Sequence, residues 1–177
     1  MSGIHDMNKI VTPAVSHITN HEYIGQFANT HKVHALLKAK KYDEALPNIE
    51  ALCEEVKNID FALNKGGYTR NILSKKDGYW LSFLRWDKDV TTPAHGHPAQ
   101  AFVYTVQGCI EVTNYKQNDE DFIELTSSAE QNKGEYFYSH GDSGKYDNAV
   151  HQISTQEESI TLHFYSDDPR KGKLYKE

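Results

Sequence analysis

A change of hydrophobic period at Gly66-Gly67 constrains the fold of this chain more than any other feature. Before it, from about residue 31 to 63, apolar residues recur every three to four positions, first as Val33, Leu36 and Leu37, then as Ile49, Leu52, Cys53 and Val56. That spacing marks the buried face of amphipathic helices. Pro47, between the two groups, predicts a division into two helices, because proline suits a first helical turn and disrupts an interior. After the glycines, short strand-like runs follow at about 69–74, 79–86, 101–107, 109–115, 121–127, 135–139, 150–154 and 160–166. In YWLSFLRW (79–86), apolar residues fill both alternation classes, which predicts a strand covered on both sides. Helices followed by eight short strands predict a mainly β chain, a jelly-roll β-barrel with N-terminal helices packed against it. The 177 residues suit a single domain, helical over about 1–65 and barrel over about 66–177.

The formal net charge of −6 argues against the broad basic surface that nucleic acids and anionic membranes attract. No run approaches the roughly 18 apolar residues of a membrane span, and the opening MSGIHDMNKIVTPAV lacks the pattern of an export signal. The expectation is a cytoplasmic protein, a monomer by default, directed at small molecules. Cys53 in a helical pattern and Cys109 beside Gly108 offer no disulfide framework and are expected to be reduced. SHGDSGKYDN (139–148) reads as a polar surface loop.

Ten histidines are present. His5, His17, His21, His31 and His34 lie in the N-terminal part, away from the compact β setting that builds a rigid site; His31 and His34, three apart on a helix, read as an exposed polar face. His95 and His97 differ, because residues two apart on an extended segment project to one side, where one metal ion can take both rings. Pro93 favours the extended approach, Gly96 permits close backbone contact and Pro98 ends regular pairing. The third ligand is expected from His151, at the start of a strand, rather than from His140 in a turn-like setting.

The segment PAHGHPAQAFVYTVQGCIEV (93–112) resembles the first cupin motif, and the place of His151 matches the second. Ala101 stands where that motif usually has a glutamate ligand, leaving three histidines. Further segments resemble the cysteine dioxygenase family over about 68–166: YTRN (68–71), LRW (84–86) and TLHFYS (161–166). The resemblance implies Fe(II) held by His95, His97 and His151, Arg70 binding the substrate carboxylate with a hydroxyl contact from Tyr68, and a relay through Thr161, His163 and Tyr165. Trp86 is expected to pack the pocket. L-cysteine and O2 would then give cysteine sulfinic acid. The alternatives are oxidation of 3-mercaptopropionate or another thiol carboxylate, and a non-catalytic cupin that binds a metal or ligand. Three features depart from the family pattern. Ala101 replaces the cysteine that crosslinks to the tyrosine in the animal enzymes, Ser166-Asp167 replaces a proline-containing turn, and the loop after His97 is one residue shorter.

Overall fold

The computed structural model describes residues 18–118 and 122–175; His5 and His17 lie outside them. The two expected helices are α1 (Thr30–Lys38) and α2 (Tyr42–Val56). Tyr42, Ala45, Ile49, Leu52 and Val56 form the buried stripe of α2, and Asp43 and Glu44 in its first turn complement the positive end of the helix dipole.

The break between the helices is not at Pro47, which lies inside α2. It falls at Lys40, whose φ of 61° ends α1. Lys40 N–H donates to Leu37 O and Lys41 N–H to Leu36 O, both at 2.9 Å, the paired bonds of a Schellman ending. A lysine rather than a glycine occupies the left-handed position, so the usual sequence signal is missing.

Among the described residues eleven strands form two sheets. The six-stranded sheet has the order β1 (Ile18–Glu22), β2 (Tyr68–Lys76), β3 (Tyr79–Trp86), β10 (Ser159–Tyr165), β5 (Gln100–Gln107) and β8 (Tyr136–His140). The five-stranded sheet has the order β11 (Leu174–Tyr175), β4 (Ala94–His97), β9 (Asn148–Thr155), β6 (Cys109–Gln117) and β7 (Ile123–Asn132).

The expected barrel is therefore corrected to two open sheets. What joins them is side-chain packing, with Leu84, Trp86 and Val103 of the first meeting Ile110, Val112 and Ile153 of the second. The outer face of the six-stranded sheet, through Leu81, Phe83, Phe102, Leu162 and Phe164, shares a core with Val33, Leu37, Ile49 and Leu52 of the helices.

The region before Gly66 is not wholly helical, since β1 joins the sheet edge in parallel with β2. ITNHE lacks the apolar alternation that would announce a strand. His34 is also corrected: it is buried, its Nδ1 lies 2.6 Å from Ser74 Oγ, and its ring meets Phe164 edge to face. β7 runs to Asn132 rather than 127 because it pairs along the whole of β6. No helix among the described residues is long and apolar enough to cross a membrane.

Candidate metal centre and substrate pocket

Strand pairing assembles the histidines. β4 lies antiparallel to β9 with His95 opposite His151, and the register shifts before His97 pairs with Asn148. Between these pairs one residue of β4, Gly96, faces two of β9, Ala149 and Val150, and Ala149 has a φ of 47°. An L-residue in this conformation costs about 1–2 kcal/mol. The resulting bulge turns two carbonyls toward one ring: His97 Nδ1–H donates to Ala149 O at 3.0 Å and to Asn148 O at 3.2 Å. His95 Nδ1–H donates to Pro93 O at 2.9 Å.

Carbonyls only accept, so both Nδ1 atoms carry the proton and both Nε2 atoms keep a lone pair. Gly96 lets the segment fit, because a side chain there would strike Tyr146 O and Asp147. The polar 139–148 region is thus partly packed, and Lys173 N–H donates to Tyr146 O while Gly96 N–H donates to Lys173 O, each at 2.8 Å.

One ligand atom from each of His95, His97 and His151 lies within 4.8 Å of the others. Nε2 of His97 and of His151 is buried and has no hydrogen-bond partner. A buried unpaired polar atom ordinarily costs about 1–3 kcal/mol. A divalent transition metal satisfies such nitrogens, so the three residues fit a metal ion.

Their protonation state suits that use. Burial pushes all three imidazoles below their ordinary range, His97 to about 3 with a smaller contribution from His95, and His151 with help from His97 and His95. Neutral rings are the ligating form.

Ala101, where the resemblance marked a missing ligand, sits opposite Tyr165 across the β5–β10 ladder. A methyl group at this place neither ligates a metal nor crosslinks to the phenol. His140 is not in a turn but at the end of β8, where its Nε2 lies 2.6 Å from Tyr42 Oη, apart from the three-histidine group.

A cavity of about 350 Å³ opens beside the histidines and is lined by Tyr68, Arg70, Trp86, His163 and Tyr165 together with His95 and His97. Thr161 stands behind His163, fully buried. Alternation along β10 puts Thr161, His163 and Tyr165 on the inner face and Ile160, Leu162 and Phe164 on the outer.

The inner three are linked. Thr161 Oγ1 is 2.7 Å from His163 Nε2, and His163 Nδ1 is 2.7 Å from Tyr165 Oη. Trp86, read from the sequence as packing, sets the direction of this chain. Its indole N–H can only donate, and it donates to Thr161 Oγ1 at 2.8 Å. The buried Thr161 hydroxyl has His163 Nε2 as its other hydrogen-bond partner among the described residues and so donates to that nitrogen. His163 Nδ1–H donates in turn to Tyr165 Oη, leaving the phenol proton free for the cavity. Burial, with the Tyr68 phenol adding to it, holds Tyr165 well above its ordinary range, so the phenol stays protonated. Burial, reinforced by the Arg70 charge, keeps His163 neutral.

Arg70 is 5 % exposed, and no aspartate or glutamate among the described residues pairs with it within 4.0 Å. Its hydrogen bond, 3.1 Å long, goes to Asn20 Oδ1. Asp168, which the Arg70 charge reaches, is already engaged by Arg170 through bonds of 2.6–3.1 Å. A buried guanidinium without a counter-ion is costly, and the cavity beside it suits an anion. Asn20 and β1 were not anticipated from the sequence. Both reach the pocket through a parallel pairing fifty residues away in the chain.

No protein-family model matches the chain, and no curated protein is similar to it in sequence. Solved structures do resemble it. An uncharacterised conserved protein with a double-stranded β-helix domain from Klebsiella pneumoniae subsp. pneumoniae MGH 78578 is 11% identical with a TM-score of 0.48, over 71% of this chain and 89% of that one. A cupin superfamily protein from Desulfitobacterium hafniense DCB-2 is 12% identical with a TM-score of 0.46, over 62% of this chain and 84% of that one. Hydroquinone 1,2-dioxygenase PnpCD, in complex with Cd2+ and 4-hydroxybenzonitrile, is 11% identical with a TM-score of 0.43, over 55% and 63%.

Proposed function

We propose that this chain is a thiol dioxygenase of the cytoplasm that converts L-cysteine and O2 to cysteine sulfinic acid. The observation that carries the reading is one cavity lined by Arg70, which has no counter-ion among the described residues, by His95 and His97 of the three-histidine group, and by the Tyr165 phenol held by His163. His95, His97 and His151 would hold Fe(II), which when bound supplies a place for a thiolate and dioxygen to react. The protein supplies the rest.

Arg70 offers paired N–H donors to the substrate carboxylate, and the apolar walls formed by Leu84, Trp86, Val90 and Ile153 exclude water, which strengthens that contact. Tyr68 packs against Trp86 with ring centroids 4.4 Å apart and borders the same anchor. Tyr165, oriented by His163 and Thr161, donates its proton toward the oxygen being transferred. In the overall reaction the O–O bond breaks and two S–O bonds form. Sulfur loses the four electrons that the dioxygen gains, so no outside reductant is required.

The test loads the protein with Fe(II) without air, adds L-cysteine or 3-mercaptopropionate, and then admits oxygen. Oxygen uptake with sulfinate formation, favouring L-cysteine, is the expected result. Preference for 3-mercaptopropionate would replace the substrate assignment. Metal binding without uptake for either thiol would replace the enzyme with a non-catalytic cupin.

A further inference from the structure

We propose that Asn20, delivered by the N-terminal strand β1, is a positioning residue that aims the Arg70 guanidinium at a substrate carboxylate while leaving its positive charge unneutralised. The inference rests on the reading of Arg70 given under Proposed function, and it makes β1 a specificity wall of the pocket.

The placement follows from register. In the parallel β1–β2 pair, Ile18 lies beside Tyr68 and Asn20 beside Arg70, and all four line the cavity. Residues two apart on a strand share a face, so the pairing puts both β1 side chains on the pocket side of the sheet. The amide orientation follows from chemistry. A guanidinium has five donors and no acceptor, so Asn20 presents its oxygen to the N–H at 3.1 Å.

The residue type matters more than the bond. A neutral acceptor fixes one edge of the guanidinium and leaves the full charge, with the remaining donors, for a ligand. An aspartate in the same position would form a partly buried ion pair and compete with any incoming carboxylate. The nearby acid Asp168 is withheld from Arg70 by its bonds to Arg170, so the two features act in the same sense. Asn20 itself is exposed at the pocket mouth, where substitution leaves the core intact.

The test compares binding of L-cysteine with that of cysteamine, which keeps the thiol and amine but lacks the carboxylate. Binding is measured by calorimetry on the Fe(II)-loaded protein without oxygen. The expected result is that Asn20→Asp weakens L-cysteine tenfold or more and leaves cysteamine within about twofold, a tenfold loss being about 1.4 kcal/mol. Asn20→Ser, which retains a neutral acceptor, is expected to preserve the preference for L-cysteine. Equal losses for both ligands, or no loss with Asn20→Asp, would overturn the role of Asn20 while leaving Arg70 as the anchor. A wild-type protein that binds the two ligands alike would overturn the anchor and this inference together.

Discussion

The two faces of the six-stranded sheet are made from the same strands and do opposite work. On β10, Leu162 and Phe164 point outward into the core shared with the helices, while Thr161, His163 and Tyr165 point inward to the cavity. β3 divides in the same way, with Leu81 and Phe83 outward and Leu84 and Trp86 inward. The outer face gains stability from close apolar packing. The inner face buries polar groups paired in a chain, and across the cavity the five-stranded sheet holds Nε2 of His97 and of His151 without a partner. One face supplies the rigidity that the other needs to hold reactive groups in place.

The largest effect is expected on the outer face. Phe164→Ala removes a fully buried ring and is expected to destabilise the protein by about 3–5 kcal/mol, read from denaturant unfolding. The histidine side of the cavity, on the five-stranded sheet, should behave in the opposite sense. His151→Leu abolishes metal binding but removes a buried nitrogen without a partner, so the metal-free variant is expected to gain about 1–3 kcal/mol over metal-free wild type. A loss of that size in the metal-free form would blur the contrast.

Acid should act on the same three histidines. Burial lowers His95, His97 and His151 below the unfolded value of 6.5, so the unfolded chain binds more protons than the folded one in this range. The stability they contribute is complete above about pH 6.5 and falls as the pH drops toward the folded values, which for His97 means about 3. Unfolding curves for the metal-free protein between pH 7 and 4 test this, and a flat profile would contradict it.

A smaller effect is expected for Trp86→Phe. It keeps an aromatic ring in the wall but removes the donor to Thr161, for a loss of about 1 kcal/mol. With the relay direction no longer fixed, kcat should fall more than KM rises. Ala149→Gly relieves the left-handed alanine and is expected to raise stability by up to about 1 kcal/mol, with looser metal binding as the His97 bulge relaxes.

The sequence exposes some of this contrast and hides the rest. The strand segments over 79–86 and 160–166 were legible because short runs of aromatic and aliphatic residues are a local signal, and the pair His95 and His97 was legible because two-residue spacing sets a common face. Arg70, His163 and Tyr165 entered through resemblance, and the structure places them beside one cavity. What was missed depends on pairings distant in the chain or on residues without a distinctive local signal. β1 needs β2 to become a strand, Trp86 needs Thr161 to become a donor with a purpose, and the α1 ending rests on a lysine where glycine is usual. The bulge at Ala149 was equally silent, since alanine carries no mark of positive φ. The two open sheets follow from which strands pair, and short strand-like runs alone do not decide that.

The most direct test of the central claim is mass analysis of the product formed by the Fe(II)-loaded protein from L-cysteine under isotopically labelled dioxygen. The account predicts cysteine sulfinic acid with both oxygen atoms labelled, formed in equal amount to the oxygen consumed. Unlabelled sulfinate, a singly oxidised or disulfide product, or no product from a metal-replete protein would contradict it.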